Sequence, residues 1–243
     1  MRCLALAFTL AISSTLLAAD DGWIELKPGD PAPWKKVDKN WIVAKDVALD
    51  PEKKDTRLKA TADDAGTIWV NGKEGRVGDL YTKELYGDLD VHVEFLIAKK
   101  SNSGIKFHGV YEIQILDSFG KPDDKLTGDD CGGVYPRAEV KPNYHHIDKG
   151  IPPKANAAKP AGEWQTLDVT FLAPRFNEKG EKSEHARIVK ATLNGTVIHE
   201  NLDLKTPTGH NWSKKESPTG PFMIQADHGP VAFRNLKIKP IKK

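Results

Sequence analysis

A strict alternation of apolar and polar residues over 101–119 is the feature that most limits how this chain can fold. The odd positions from 105 to 115 are nearly all apolar. Its even positions include four residues with charged or hydrogen-bonding groups: Lys106, His108, Glu112 and Gln114. A period of two is typical of a β-strand with one buried and one solvated face. We therefore predict a central strand over 101–119 whose solvated face forms a functional site.

The same alternation recurs in short runs that are separated by turn signals. The predicted strands are 41–43, 67–70, 79–82, 89–98, 164–172, 186–193, 196–199, 220–226 and 231–238. Asn71-Gly72 and Asn194-Gly195 are typical of tight β-turns. No stretch has the periodicity of an amphipathic helix of ordinary length. These features predict an all-β, antiparallel two-sheet jelly-roll sandwich in which 89–98 and 101–119 form a hairpin-like pair.

Residues 1–19 have the composition of a cleavable secretory signal, with a lone Arg2, an apolar run and a final pair of alanines. The apolar run is too short for a membrane anchor. We expect residues 20–243 to form one domain that is secreted to the periplasm or the extracellular space. Cys131 would then be the lone cysteine of the mature chain, and we expect a small, partly buried residue rather than a nucleophile.

Charge excludes some classes of partner. The chain has 36 Lys and Arg against 34 Asp and Glu, a formal net charge of +2 at pH 7. This balance supplies no strong field for nucleic acid or for an anionic membrane. The oligomeric state is left open by the sequence.

The stretch 119–162 is the least regular part of the chain and has many glycines and prolines. An irregular segment of this length inside a compact domain is usually functional or disordered. Its aromatic residues and histidines, which include Tyr135, Tyr144 and His146, argue against disorder. We expect it to fold over the solvated face of the central strand.

Five fragments follow one another along the chain: SNSGIKFHGVYEIQILDS, CGGVY, GEWQ, LNG and GPFMIQADHGPVAFRNLKI. In this order they resemble the 3-keto-disaccharide hydrolase domain family, from about Trp23 to about Lys239. The resemblance implies a concanavalin A-like jelly roll with a sugar groove on its concave sheet. It also implies cleavage of glycosides whose glucose ring is oxidised at C3. Many members have Arg where this chain has His108, so we expect an acid/base or metal-binding role at that position.

The implied chemistry suits the residues on the central strand. A ketone at C3 acidifies the C2 proton, so a base can form an enediolate, the C1 substituent can leave and water can add. We expect Glu112 to be this base or a metal ligand, with His108 and Asp117 as further catalytic candidates. Along a continuous strand His108 would lie ~13 Å from Glu112. The predicted substrate-binding residues are Asn102, Lys106, Gln114, Tyr135, Gln225, His228 and Trp164, of which Lys106 could stabilise the enolate oxygen.

A divalent metal ion is a candidate cofactor, since metals stabilise enolates in other enzymes. Its candidate ligands are Glu112, His108, His146 and His228, although their spacing is not diagnostic of a metal site. The sequence does not distinguish net hydrolysis from elimination followed by hydration.

Two other functions stay open. Glu112, Gln114 and Asp117 have the spacing of the bulged strand of laminarinase-type retaining glucanases, whose two carboxyls lie roughly 5 Å apart. Gln114 stands where that pattern has a carboxylate. The second alternative is a non-catalytic carbohydrate-binding module, because the fold alone does not decide the function.

Overall fold

The computed structural model describes residues 21–242, so the predicted signal at 1–19 lies outside the described residues. The strands are β1 (Ile24–Glu25), β2 (Ile42–Leu49), β3 (Leu58–Ala62), β4 (Ile68–Val70), β5 (Leu80–Tyr81), β6 (Leu89–Ile97), β7 (Asn102–Phe107), β8 (Tyr111–Leu116), β9 (Ala138–Glu139), β10 (His145–His146), β11 (Gln165–Leu172), β12 (Arg175–Phe176), β13 (Lys182–Glu184), β14 (Ala186–Leu193), β15 (Thr196–Leu204), β16 (Met223–Gln225) and β17 (Val231–Pro240). Within 21–242 the helical segments are two 3-10 turns, Pro51–Lys53 and Asp123–Lys125. Neither of them could cross a bilayer.

Two antiparallel sheets form the body of the molecule. The larger has nine strands in the order β15-β14-β11-β6-β17-β4-β2-β3, with β1 paired to β17. The smaller has four strands in the order β5-β16-β7-β8, and β9-β10 and β12-β13 form two small ribbons. This arrangement confirms the predicted all-β, antiparallel jelly-roll sandwich.

The main apolar core fills the space between the two sheets. One continuous cluster contains Val91, Val93 and Phe95 of the large sheet together with Ile105 and Ile113 of the small one. Alternate residues of β6, β7 and β8 enter this cluster, as the period-two pattern predicts. The other face of the four-stranded sheet is therefore free to carry polar groups.

The predicted central strand is in fact a hairpin. Residues 101–119 form β7 and β8, which a turn at His108–Val110 connects, and Lys106 lies directly opposite Glu112. The turn requires a left-handed backbone at His108, with φ 53°, and at Gly109, with φ 69°. The predicted pairing of 89–98 with this stretch is also wrong, because β6 pairs with β11 and β17 in the large sheet.

A second apolar cluster lies on the outer face of the large sheet. It includes Ala44, Ile68, Leu96 and Ala232, and Trp164 packs against it. The guanidinium carbon of Arg234 lies 4.1 Å from the centroid of the Trp164 ring. Leu96 belongs to this cluster and is buried by it.

The irregular segment 119–162 lies along the free edge of β8. Gly132 N–H donates to the Gln114 carbonyl, Gln114 N–H donates to Gly133, and Tyr135 N–H donates to Glu112. The segment thus continues the small sheet by one irregular strand and brings Tyr135 to its solvated face. The strand predicted over 196–199 is longer in the structure, since β15 continues to Leu204, and the β12-β13 ribbon was not among the predicted strands.

A buried asparagine holds the turn between β16 and β17. The Asn71 side chain donates to the carbonyls of Ala226 (3.0 Å) and Gly229 (2.7 Å) and accepts from Val231 N–H (2.8 Å). The residue is fully buried, so these three bonds satisfy backbone groups that water cannot reach. Asn71 therefore fixes the conformation of 226–231 from a distant part of the chain.

Replacing Asn71 by Ala should destabilise the protein by about 2–4 kcal/mol, because three backbone groups lose their buried partner. Urea unfolding followed by circular dichroism measures this loss. Asn40→Ala, at an exposed position, is the matched control and should change the free energy of unfolding little. A loss no larger than that of the control would show that 226–231 does not depend on Asn71.

Candidate active site

A cleft of about 540 Å³ opens on the solvated face of the four-stranded sheet. This volume lies within the range of small-molecule sites. Its lining residues are Lys35, Asp79, Tyr81, Asn102, Lys106, His108, Gly109, Glu112, Tyr135, Tyr144, Gly209, His210, Asn211, Lys214, Pro221, Met223, Gln225, Asp227 and His228. The solvated face of the predicted central strand thus forms the floor of a polar cleft.

A nearly buried ion pair lies on this floor. Lys106 Nζ is 3.0 Å from Glu112 Oε2, and the side chain of Glu112 is 3% exposed. Gly104 makes room for the carboxylate, since a Cβ at that position would come within 2.5 Å of Glu112 Oε1. The β7-β8 register therefore places Oε2 beside Lys106, and the absence of a side chain at Gly104 leaves room for Oε1.

Burial and pairing act on the protonation of both groups. Burial raises the pKa of the Glu112 carboxyl, and the nearby Lys106 and His228 cations offset only part of this effect. Burial disfavours the ammonium of Lys106, but Glu112 and Asp79 outweigh it and raise the pKa of Lys106. The pair therefore combines a fixed cation with a carboxylate that binds a proton more readily than an ordinary Glu.

A second acid–base pair lies on the turn between β16 and β17. His228 Nδ1 is hydrogen-bonded to Asp227 Oδ1, and Gln225 Nε2 lies 3.3 Å from the same nitrogen. The hydrogen bond to Asp227 raises the pKa of His228. Burial raises the pKa of Asp79 on the neighbouring wall, and the charge of Asp227 adds to this effect.

His108 lines the cleft from the hairpin turn, but its ring is packed against protein. It meets Phe171 edge-on at 5.3 Å between ring centroids, and its Nε2 lies 3.3 Å from the Gly87 carbonyl oxygen. Burial lowers the pKa of His108, so the imidazole is neutral at pH 7. The hairpin also replaces the continuous-strand geometry from which the ~13 Å separation from Glu112 was predicted.

Some predicted site residues converge on the cleft. Among the predicted binding residues the lining includes Asn102, Lys106, Tyr135, Gln225 and His228. The Tyr144 hydroxyl lies 3.2 Å from that of Tyr135, so the irregular segment supplies an aromatic wall. These positions agree with the predicted groove, and their roles stay predictions.

Other predicted site residues lie outside the cleft lining. Gln114 is buried, and its Nε2 donates to Asp129 Oδ1 at 3.2 Å. Trp164 lies on the outer face of the large sheet. Asp117 Oδ2 accepts from Lys100 N–H at 2.9 Å and so caps the turn before β7. His146 contacts the Tyr135 hydroxyl through Nε2 at 2.9 Å.

Several lining residues were not predicted as site residues: Lys35, Asp79, Tyr81, Tyr144, His210, Asn211, Lys214 and Asp227. Asp79 and Tyr81 arrive because β5 is the edge strand next to β16. His210 and Asn211 lie on the 205–221 loop, which Thr208 ties to the hairpin by donating to the Val110 carbonyl. Of these residues, Asp79 was the one with a sign in the sequence, because its carboxylate begins the short strand predicted over 79–82.

The predicted metal site does not assemble from its candidate ligands. Within residues 21–242, no group of three His, Cys, Asp or Glu side chains is placed to hold a metal ion. Glu112 is instead paired with Lys106, and His228 with Asp227. The divalent metal ion therefore stays a prediction.

The sequence profile of the 3-keto-alpha-glucoside-1,2-lyase-like domain matches residues 22–239. The chain belongs to this family. The match covers nearly the whole described structure, including both sheets and the cleft, and confirms the resemblance seen in the sequence. No curated protein matches the chain.

Two crystal structures from Parabacteroides distasonis share the fold of this family member. One, a candidate glycosyl hydrolase, is 23% identical, with a TM-score of 0.59 over 91% of this chain and 84% of that chain. A second candidate glycosyl hydrolase is 16% identical, with a TM-score of 0.50 over 84% of this chain and 89% of that chain. At these identities the likeness shows the fold.

Replacing Gly104 by Ala should displace the Glu112 carboxylate while leaving the fold intact. The added Cβ would lie 2.5 Å from Oε1, so the carboxylate must move by about 0.9 Å to reach an ordinary contact of 3.4 Å. Crystal structures of the variant and of the Gly87→Ala control, whose Cβ would meet its nearest atom at 3.6 Å, measure the shift. An unmoved carboxylate in Gly104→Ala would contradict this account of the floor.

Cys131 should be unreactive in the folded protein. Its side chain is buried, and burial raises the pKa of the thiol to about 12. Iodoacetamide at pH 8 should therefore leave Cys131 unlabelled in native protein and label it fully in guanidinium, as measured by peptide mass spectrometry. Rapid labelling of the native protein would contradict the buried position.

Proposed function

We propose that this protein cleaves glycosides of 3-keto-glucose by elimination across C1 and C2. Glu112 takes the C2 proton, and the C–H electrons form an enolate whose charge lies on the C3 oxygen beside Lys106. When the carbonyl re-forms, the C1–O bond breaks and the aglycone leaves with that electron pair. Water then adds to C1 of the enone while Glu112 returns its proton to C2, and the net result is hydrolysis.

The Lys106–Glu112 pair is the observation that carries this proposal. In a 3-keto sugar the acidic proton and the carbonyl oxygen are attached to adjacent carbons. A base and a cation must therefore be neighbours, and Glu112 Oε2 and Lys106 Nζ are 3.0 Å apart on the cleft floor. Lys106 supplies the charge that an enolate oxygen needs in a water-poor site.

The protonation behaviour of the pair supports the same roles. A general base works best when its pKa approaches the working pH. Burial raises the pKa of Glu112 towards that range, whereas the raised pKa of Lys106 keeps the ammonium charged. An ordinary exposed glutamate would be a weaker base for the proton on C2.

Retaining glucanase chemistry has less support. The β7-β8 register runs from Asn102 to Phe107 without a shift, so β8 has no bulge to bring Asp117 to the face of Glu112. Asp117 instead caps a turn and does not line the cleft. The alternative therefore loses the Glu112 and Asp117 pair that it proposed for a retaining mechanism.

A non-catalytic sugar-binding module remains the competing function, because the aromatic wall and amide groups could bind a sugar without reacting. A module has no need of a buried charge pair, which costs free energy of desolvation.

Secretion of the domain is a further part of our proposal, and it is supported by the sequence of residues 1–19.

Replacing Glu112 by Gln should lower kcat/KM for a 3-keto-glucoside by at least about 100-fold, since the base is lost. Aglycone release is measured by chromatography, with the unoxidised glucoside as a substrate that should not react. Glu163→Gln, at an exposed position, is the matched control. Reactions with and without chelator test the metal prediction separately. No release by the wild-type protein under any condition, with sugar binding intact, would favour the binding module.

The pH dependence should follow from the raised pKa of Glu112. The base is active when deprotonated, so kcat/KM should fall as the pH drops through the Glu112 pKa. Because burial raises that pKa, the fall should begin at a higher pH than an unperturbed Glu would give. A pH–rate profile measures this limb, and full activity down to the pKa of an ordinary Glu would contradict the role of Glu112.

A further inference from the structure

His228 presents one unoccupied ring nitrogen to the cleft. Its Nδ1 is hydrogen-bonded to Asp227, whereas Nε2 contacts no polar group of residues 21–242. The side chain is 54% exposed and lines the cleft. Asn71 fixes the turn that carries both residues through its bonds to the carbonyls of Ala226 and Gly229. The imidazole is therefore oriented by a carboxylate and open on its other side.

The strand register gives the order of groups along the cleft floor. Glu112 Oε2 is bonded to Lys106, and Oε1 lies over Gly104, two residues back along β7. Gln225 pairs with Gly104 across β16 and β7, and its amide reaches His228. The Glu112 carboxylate and the Gln225–His228 contact thus meet at Gly104, and Lys106 lies two residues further along β7.

This order matches the order of the reacting atoms. In the proposed reaction the charge develops on the oxygen of C3, the proton leaves C2, and the glycosidic oxygen departs from C1. With Lys106 at the C3 oxygen and Glu112 at the C2 proton, the oxygen on C1 is directed towards the Gly104 side. His228 lines the cleft there, next to Gln225.

We infer that His228, oriented by Asp227, donates the Nε2 proton to the glycosidic oxygen as the C1–O bond breaks. The departing oxygen keeps the bond electrons and receives the proton, so the aglycone leaves as a neutral alcohol. His228 then takes a proton from the water that adds to C1, which restores the imidazolium. This assignment rests on the proposed function and adds a third catalytic residue to it.

The charged groups around His228 favour the protonated ring. Asp227 contacts it directly, Asp79 acts on it from the position before β5, and Lys106 and Glu112 act on it from the hairpin. The hydrogen bond to Asp227 raises the pKa of His228, and Asp79 adds to this effect against the opposing charge of Lys106. The imidazole is therefore able to carry a proton near neutral pH.

A proton donor at this position predicts a class of substrate. Alkoxides of alcohols and sugars are poor leaving groups and need protonation, whereas a nitrophenolate leaves readily without it. The proton from His228 is therefore needed for 3-keto-glycosides of alkyl alcohols or sugars and not for those of nitrophenol.

Leaving-group dependence tests the inference. Wild-type protein and His228→Gln are compared on methyl 3-keto-glucoside and on 4-nitrophenyl 3-keto-glucoside. We expect kcat/KM of the variant to fall by about 100-fold or more on the methyl substrate and by less than about 10-fold on the nitrophenyl substrate. His185→Gln, an exposed histidine outside the cleft, should leave both rates unchanged.

The other outcomes are distinct. Equal losses on both substrates, or no loss on either, would overturn the proton-donor role while leaving the proposed function intact. Wild-type protein that cleaves neither substrate would overturn the proposed function itself.

Should His228→Gln fail to fold, Asp227→Asn provides the test. Losing the carboxylate lowers the His228 pKa, so the alkaline limb of kcat/KM for the methyl substrate should shift to lower pH. An unshifted alkaline limb would overturn the inference.

Discussion

The buried ion pair between Lys106 and Glu112 is the interaction around which the cleft is built. Removing two charges from water costs several kcal/mol per ion, and the attraction between them offsets this only when the geometry is good. Here the geometry comes from the backbone, because direct opposition in an antiparallel hairpin brings the two side chains together. Such a pair adds little to stability. Its position at the floor of an open cleft therefore supports the proposed catalytic role.

The walls of the cleft are tied to the same hairpin by polar side chains from distant segments. Thr208 accepts from Glu112 N–H at 3.1 Å and fixes the 205–221 loop beside it. Glu216 on that loop is hydrogen-bonded to the Tyr111 hydroxyl and lies 2.5 Å from Lys182 Nζ. The reactive groups are thus held on a rigid sheet, and loops that are anchored to it complete the site.

Sequence patterns predicted the fold class and the faces of the strands, because alternation directly reports which side chains are buried. They could not reveal the turn at His108. The β7-β8 register pairs even positions with even positions, so one long strand and a hairpin give the same alternation. The dipeptide His108-Gly109 was the available sign of a turn. Partners such as Asp79 and His210 depend on strand order and loop placement, which local periodicity does not encode.

The irregular segment that lies along β8 has a consequence for solubility. An unpaired outer strand exposes backbone amides and carbonyls that can recruit a second chain. The backbone of 132–135 occupies these groups on β8, and the closely packed Gly128 and Gly133, whose Cβ positions would clash with neighbouring backbone, let the segment approach. The same loop that narrows the cleft therefore also protects the small sheet against intermolecular association.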